Sequence, residues 1–105
     1  MKSQDHAKNW SKLRKRSEDV AALLKQLAHP QRLLILCALS DGEKSVSEIE
    51  EACGASQSAV SQFLKSMRLE GFIESRREGR HVIYRIADKK VFELIGSLYT
   101  IYCKG

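Results

Sequence analysis

The spacing of apolar residues changes at Gly71, and that change restricts the chain to few folds. Upstream, apolar side chains recur at helical intervals, whereas downstream they alternate as in a strand, at Val82, Tyr84 and Ile86. The segments 72–77 and 80–86 therefore predict a β-hairpin around a turn at Glu78-Gly79. A helical pattern returns after Asp88, so the hairpin lies between helices.

Two long helices are expected near the start of the chain. The first spans Asn9 to Ala28, where apolar residues at helical spacing are separated by Lys and Arg. The second begins at Pro30, a residue that suits the first helical turn, and ends at Asp41-Gly42. Because the second helix is apolar nearly all round, we expect it to lie in the core.

A pair of shorter helices follows. Ser45 or Ser47 caps the first, and Ser56 caps the second, which runs from Gln57 to about Glu70. Two helices joined by a tight, glycine-containing turn form a helix-turn-helix unit. With the hairpin and a last helix from Asp88 to near Cys103, the predicted fold is a winged helix-turn-helix. It is mostly α with a β-hairpin wing (α+β), in the order ααααββα.

The helix that begins at Gln57 has two chemically different faces. Its apolar face carries Val60, Phe63, Leu64 and Met67. Its polar face holds amides, hydroxyls and cations at spacings close to four, namely Gln57, Ser58, Ser61, Gln62, Lys65 and Arg68. Amides pair with adenine, hydroxyls suit bases or phosphates, and cations neutralise phosphates. We therefore predict that these six residues contact double-stranded DNA.

The hairpin adds positive charge beside that helix. Between residues 57 and 85 the sequence has six cationic and three anionic side chains, and the whole chain has a net charge of +5. Arginines of a hairpin can reach the minor groove next to a recognition helix. The predicted DNA contacts therefore also include Arg76, Arg77 and Arg80.

The composition fits one small domain over residues 1–105. A chain of 105 residues builds a limited core, and an obligate dimer would enlarge it. No apolar run approaches the roughly 20 residues that a bilayer requires, so no membrane partner is expected. The three cysteines are an odd number, which argues against a secreted disulfide framework. We therefore expect the protein to be cytoplasmic.

Two stretches carry a specific motif: residues 28–36 read AHPQRLLIL and residues 56–65 read SQSAVSQFLK. Together with the hairpin from Gly71 to Tyr84 they resemble the ArsR/SmtB family of transcriptional repressors. The resemblance covers roughly residues 17–103. It implies a homodimer, built on the first and last helices, that binds an inverted-repeat operator with half-sites about one helical turn apart.

The metal-binding positions of that family are not matched. One family site has cysteines in the helix before the recognition helix, but residues 45–51 contain none and Cys53 lies just beyond. Another uses Asp-x-His at the start of the last helix, where this chain has Asp88-Lys89-Lys90 and no histidine after His81. No metal site and no cofactor are therefore expected.

The cysteines admit two interpretations. From chemistry alone, thiols in buried helices are more often packed hydrophobes than sensors. The spacing of Phe92, Ile95, Tyr99 and Cys103 places Cys103 toward the core. Residues 34–37 and Tyr102-Cys103, however, resemble the persulfide- and oxidant-sensing BigR/SqrR/HlyU-like subgroup. That resemblance implies a repressor that binds promoter DNA when reduced and releases it when reactive sulfur species or oxidants link Cys37 to Cys103.

The sequence also bears on the third cysteine and on other functions. Cys53 has no partner at a matching family position and is expected to be structural. A metal-responsive repressor of the same family remains an alternative, as does an anti-repressor or activator that competes for DNA. The sequence argues against a thiol redox enzyme, because the chain lacks Cys-x-x-Cys and an alternating strand–helix pattern. We expect no enzymatic activity.

Overall fold

A computed structural model describes the backbone of residues 3–104 and the side chains of residues 9–103. Within this part, helices α1 to α5 span Ser3–Leu27, Pro30–Ser40, Val46–Cys53, Gln57–Leu69 and Lys89–Tyr99. Strands β1 to β3 span Lys44–Ser45, Ile73–Glu78 and His81–Ile86. The predicted order of four helices, a hairpin and a last helix is confirmed. The two-residue strand β1 was not expected, because it is too short to show a period; it pairs with β3.

Three predicted boundaries differ from the structure. Helix α1 begins at Ser3 rather than Asn9, because its first residues are polar and give no apolar signal. The hairpin turn lies at Gly79-Arg80 rather than at Glu78-Gly79, since Glu78 still pairs with His81. Gly79 has φ +63°, a conformation that glycine adopts at little cost. Helix α5 ends at Tyr99, and a single π-helical turn continues it over Thr100–Lys104.

The core forms where α2 meets the helix-turn-helix unit and α5. Side chains with less than 2% exposure come from helices α2 to α5 and from β2, among them Ile35, Leu36, Ile49, Val60, Leu64, Met67, Ile73 and Ile95. Helix α2 is buried on one side only, since Leu34 is 46% exposed and Cys37 is half-buried. The helix thus lies in the core as expected, but in a single chain its other side is not covered.

Local capping fixes the helix-turn-helix unit. Ser45, not Ser47, caps α3: its hydroxyl accepts the N–H of Glu48, and the Glu48 carboxylate accepts the N–H of Ser45. This reciprocal pair is a capping box. Gly54 ends α3 in the left-handed conformation, with φ +62°. Two residues later Ser56 accepts the N–H of Ala59 and starts α4.

Helix α1 is poorly covered by the rest of the chain. Among its described side chains, Leu27 is buried and Leu23 packs on the edge of the core. Four further apolar side chains are between 37% and 57% exposed, namely Trp10, Leu13, Val20 and Leu24. Within residues 3–104 no helix has the length and apolar character to cross a membrane.

Candidate nucleic-acid interface and thiol sites

The second helix of the helix-turn-helix unit, α4, presents its polar face to solvent. Its inner side is formed by Val60, Leu64 and Met67, which are no more than 1% exposed. All six predicted DNA-contacting residues of this helix are exposed: Gln57, Ser58, Ser61, Gln62, Lys65 and Arg68. We call these six residues the polar stripe. Its amides and hydroxyls sit toward the helix N-terminus, the part of a recognition helix that contacts base edges.

The wing lies next to the polar stripe, and its register gives its arginines different directions. Residues directly opposite in neighbouring strands share a face. Ser75 pairs with Tyr84 and Arg77 pairs with Val82, whereas Arg76 pairs with Ile83. Nη1 of Arg68 lies 3.5 Å from the hydroxyl of Ser75, which identifies the Ser75 and Arg77 face as the one toward α4. Arg76 therefore points to the opposite face of the hairpin.

The wing arginines also differ in whether a carboxylate pairs with them. Arg76 is 2.8 Å from Glu43 and 2.9 Å from Glu78. On the same outer face Arg85 pairs with Glu74. Among the described side chains, no ion pair involves Lys65, Arg68, Arg77 or Arg80. The structure thus puts Arg77 on the wing face toward α4 and Arg80 at the exposed hairpin tip, and it holds Arg76 against carboxylates.

The thiol of Cys37 is half-buried on α2. Burial raises the pKa of this thiol, and the neighbouring Cys103 raises it further. Helices α2 and α5 pack against each other, and Cys103 lies in the turn that continues α5. All three cysteines are free thiols in this structure.

The expectation that Cys103 faces the core is wrong. Ile95 is buried and Tyr99 is half-buried, but Cys103 is exposed. The helix changes from α to π geometry at Thr100, and a π turn holds more residues than an α turn. The spacing that aligned Cys103 with Ile95 therefore no longer applies beyond Tyr99.

Cys53 is close enough to Cys37 for the two thiols to interact electrostatically. The pKa of Cys53 is raised, first by burial and second by Cys37. Cys53 lies one helical turn after the buried Ile49, so it shares the inner side of α3. That spacing was the available signal for its position. The packing role expected for Cys53 agrees with this environment, but Cys53 has a thiol neighbour that the sequence comparison with the family did not suggest.

Metal ligands do not assemble in the described part of the chain. Within residues 9–103, no three His, Cys, Asp or Glu side chains come together in a group that could hold an ion. His29 instead caps α2, where its Nδ1 accepts the N–H of Gln31.

A second exposed surface runs along α1. Its exposed apolar residues lie at positions 10, 13, 20 and 24, and with Ser17 they recur at alternating intervals of three and four up to the buried Leu27. This is the heptad spacing of helices that pair along a seam. Trp10, Leu13, Val20 and Leu24 line a shallow groove of about 320 Å³ on this side. On α5 and the turn after it, the exposed apolar side chains are Phe92, Ile101 and Tyr102.

Known proteins share both the sequence and this architecture. Residues 29–75 match the family described as bacterial regulatory protein, arsR family. A biofilm growth-associated repressor from Xylella fastidiosa is 43% identical over 91 residues, which cover 87% of this chain and 80% of that protein. The transcriptional activator HlyU from Vibrio cholerae is 38% identical over 97 residues, 92% of this chain and 90% of that protein.

A solved structure of reduced HlyU from Vibrio cholerae superposes on this fold with a TM-score of 0.78 and 38% sequence identity. The superposition covers 88% of this chain and 97% of that one. The similar proteins are transcriptional regulators rather than enzymes. The chain therefore belongs to the arsR family of bacterial regulatory proteins and has their winged-helix fold.

Proposed function

We propose that this protein is a homodimeric transcriptional repressor that binds an inverted-repeat operator in its reduced form. The observation that carries the proposal is the polar stripe, exposed along α4 beside the cationic face of the wing. The stripe supplies groups that can read bases and groups that can neutralise phosphates, all on one α-helix, and the major groove of DNA admits an α-helix. It acts in the reducing compartment that holds the DNA, where free thiols persist.

The proposed dimer rests on the exposed apolar surfaces. Contiguous exposed apolar residues are uncommon on monomers and mark interaction sites. Here they form a heptad seam along α1 and a second patch on α5 and the turn after it. A two-fold partner that covers both would present two copies of α4 to two symmetric half-sites.

The proposed inducer is a reactive sulfur species or an oxidant that links Cys37 to Cys103. Support comes from the packing of α2 on α5, the electrostatic interaction between the two thiols and the similarity to HlyU, one of whose structures is of the reduced form. A link between these residues would tie α2 to the end of the helix that carries part of the dimer surface. The spacing of the two recognition helices would then change.

Activation is the second candidate. One relative is named a repressor and another a transcriptional activator, although the sequences of both align with most of this chain. A protein that displaces another DNA-binding protein raises transcription with the same DNA contacts. The position of the operator relative to the promoter decides between the two, and footprinting on the target promoter measures it.

Loss of Arg77 is expected to weaken operator binding roughly tenfold and to reduce the salt dependence of binding by about one unit of slope per subunit. Arg77 lies on the wing face toward α4, where it can neutralise a phosphate. Fluorescence anisotropy at several salt concentrations measures both effects for Arg77→Ala. The matched control is Arg76→Ala, whose arginine is held by Glu43 and Glu78; its slope should stay at the parent value. Equal losses for the two variants would contradict this assignment.

Loss of Gln62 is expected to reduce sequence preference rather than general affinity. A bidentate amide contact to adenine contributes about 1–3 kcal/mol of discrimination against a wrong base pair. Gln62→Ala should therefore bind cognate and scrambled duplexes with more similar affinities. Lys65→Ala, on the same stripe, should weaken both duplexes uniformly. An unchanged ratio between the duplexes for Gln62→Ala would show that another residue reads the sequence.

A further inference from the structure

A bidentate ion pair joins α2 to the far end of the recognition helix. The Arg32 guanidinium donates from Nη1 to Oε2 of Glu70 at 2.9 Å and from Nη2 to Oε1 at 2.8 Å. The hydroxyl of Ser66 accepts from Nη2 at 2.8 Å and donates to Oε1 of Glu70 at 2.9 Å. The side chains of Arg32 and Glu70 are only 16% and 27% exposed, so solvent screens this pair less than the wing ion pairs.

Each charge of this pair lies at the less favourable end of its own helix. Arg32 is in the first turn of α2, and Glu70 is the C-terminal cap of α4. The helix dipole favours anions at a first turn and cations at a last turn. The pKa of Glu70 is nevertheless lowered, chiefly because Arg32 donates hydrogen bonds to its carboxylate. The ion pair between the two helices thus outweighs the unfavourable interaction of each charge with its own helix dipole. Its effect is to join α2 to α4.

A second contact holds the middle of α4 to the same end of α2. His29 caps α2, and its ring centroid lies 4.8 Å from that of Phe63. The core side of α2 is completely buried at Ile35 and Leu36. Helix α2 is therefore a fixed reference, and its N-terminal residues contact α4 at two points along its length.

We propose that Arg32 and Glu70 are positioning residues for DNA recognition. They set the angle at which the polar stripe enters the groove, without touching DNA themselves. Ser66 and Glu70 are one turn apart on the side of α4 that faces α2, whereas the polar stripe occupies the exposed side. The bidentate geometry restrains orientation as well as distance, because the planar guanidinium and carboxylate must align.

Replacing Glu70 by Gln separates positioning from simple electrostatics, because the two effects have opposite signs. The replacement removes a negative charge near DNA, and charge alone would tighten binding. Loss of the positioning contact would instead weaken binding, by roughly tenfold if the coupling is of ordinary strength for a networked pair. Glu74→Gln is the control: it also removes one negative charge from an ion pair, but on the outer wing face. It should bind operator as tightly as the parent, or more tightly.

Exchange of the two charges provides the second test. The double variant Arg32→Glu with Glu70→Arg keeps the net charge and puts each charge at the helix end that the dipole favours, so it should fold. It should recover operator affinity to within about threefold of the parent, while each single replacement stays weak. Circular dichroism and urea unfolding confirm that each variant is folded at the assay concentration. The proposal is overturned if folded Glu70→Gln binds as tightly as Glu74→Gln, or if the exchanged pair binds no better than the single variants.

Discussion

Leu24→Glu is expected to yield a monomer that binds operator DNA more than about a hundredfold more weakly than the parent. Leu24 is 49% exposed in the single chain and lies in the heptad seam of α1. In the proposed dimer this side chain packs against the partner. A carboxylate at that position would be removed from water without a compensating cation, which proteins rarely tolerate.

The expected size follows from the area that the seam would bury. Complete burial of a leucine contributes about 1.5–3 kcal/mol, and in a two-fold dimer the change occurs twice. Even if only half of each side chain is newly buried, the loss of leucine and the cost of the buried charge together exceed about 3 kcal/mol. Each 1.4 kcal/mol corresponds to a tenfold change in the dissociation constant. A monomer also reaches only one half-site, so operator affinity falls with dimer affinity.

Sedimentation equilibrium and anisotropy with an operator duplex measure the two effects together. Ala22→Glu is the matched control, because it adds the same carboxylate to the exposed, opposite face of the same helix. The control should remain dimeric and bind DNA like the parent. A dimeric Leu24→Glu with parental DNA affinity would show that the seam on α1 is not the subunit interface.

Local rules explain why the elements could be predicted from sequence. The polar stripe was predicted because amphipathic spacing over more than three turns of α4 assigns each residue to a face. Gly54 and Gly71 marked helix ends because both take the positive φ that favours glycine. The hairpin followed from a change in period. Each signal lies within one element or its immediate flanks, so no knowledge of packing was needed.

Contacts between distant residues could not be predicted in the same way. The partners Arg32 and Glu70 are 38 positions apart, and nothing in either segment indicates the other. The different roles of Arg76 and Arg77 depend on strand register and on Glu43 in a loop before β1, which only the folded chain brings together. Cys103 was assigned to the core because the π turn after Tyr99 has no recognised sequence signal here.

Treatment of the reduced protein with an organic persulfide is expected to link Cys37 to Cys103 and to weaken operator binding more than about a hundredfold. The first thiolate attacks the sulfane sulfur, takes it as a persulfide and releases the donor as a thiolate. The second thiolate then attacks Sγ of the first cysteine and expels the outer sulfur as hydrosulfide. The product is a disulfide that has lost two hydrogens relative to the dithiol, and the persulfide donor, which is the oxidant, ends as a thiol and hydrosulfide.

The neighbouring Cys53 makes the assignment of the link a necessary part of this experiment. Peptide mass spectrometry distinguishes a link from Cys37 to Cys103 from one to Cys53, which is also close to Cys37. Cys53→Ser should still form the link and release DNA, whereas Cys103→Ser should retain DNA after treatment. Release from Cys103→Ser, with Cys37 joined to Cys53, would assign the switch to the other pair of thiols.

The exposures of the two thiols predict the order of the steps. Cys103 is exposed, while burial raises the pKa of the half-buried Cys37 and lowers its thiolate fraction. Cys103 should therefore take up the sulfur first and Cys37 should resolve it. Accordingly, Cys37→Ser should accumulate a persulfide on Cys103, faster than Cys103→Ser accumulates one on Cys37. In the parent, closure of the link should accelerate as the pH rises toward the raised pKa of Cys37, because only its thiolate attacks. Time-resolved intact-mass measurements at several pH values follow both steps, and a closure rate independent of pH below that pKa would exclude Cys37 as the resolving thiol.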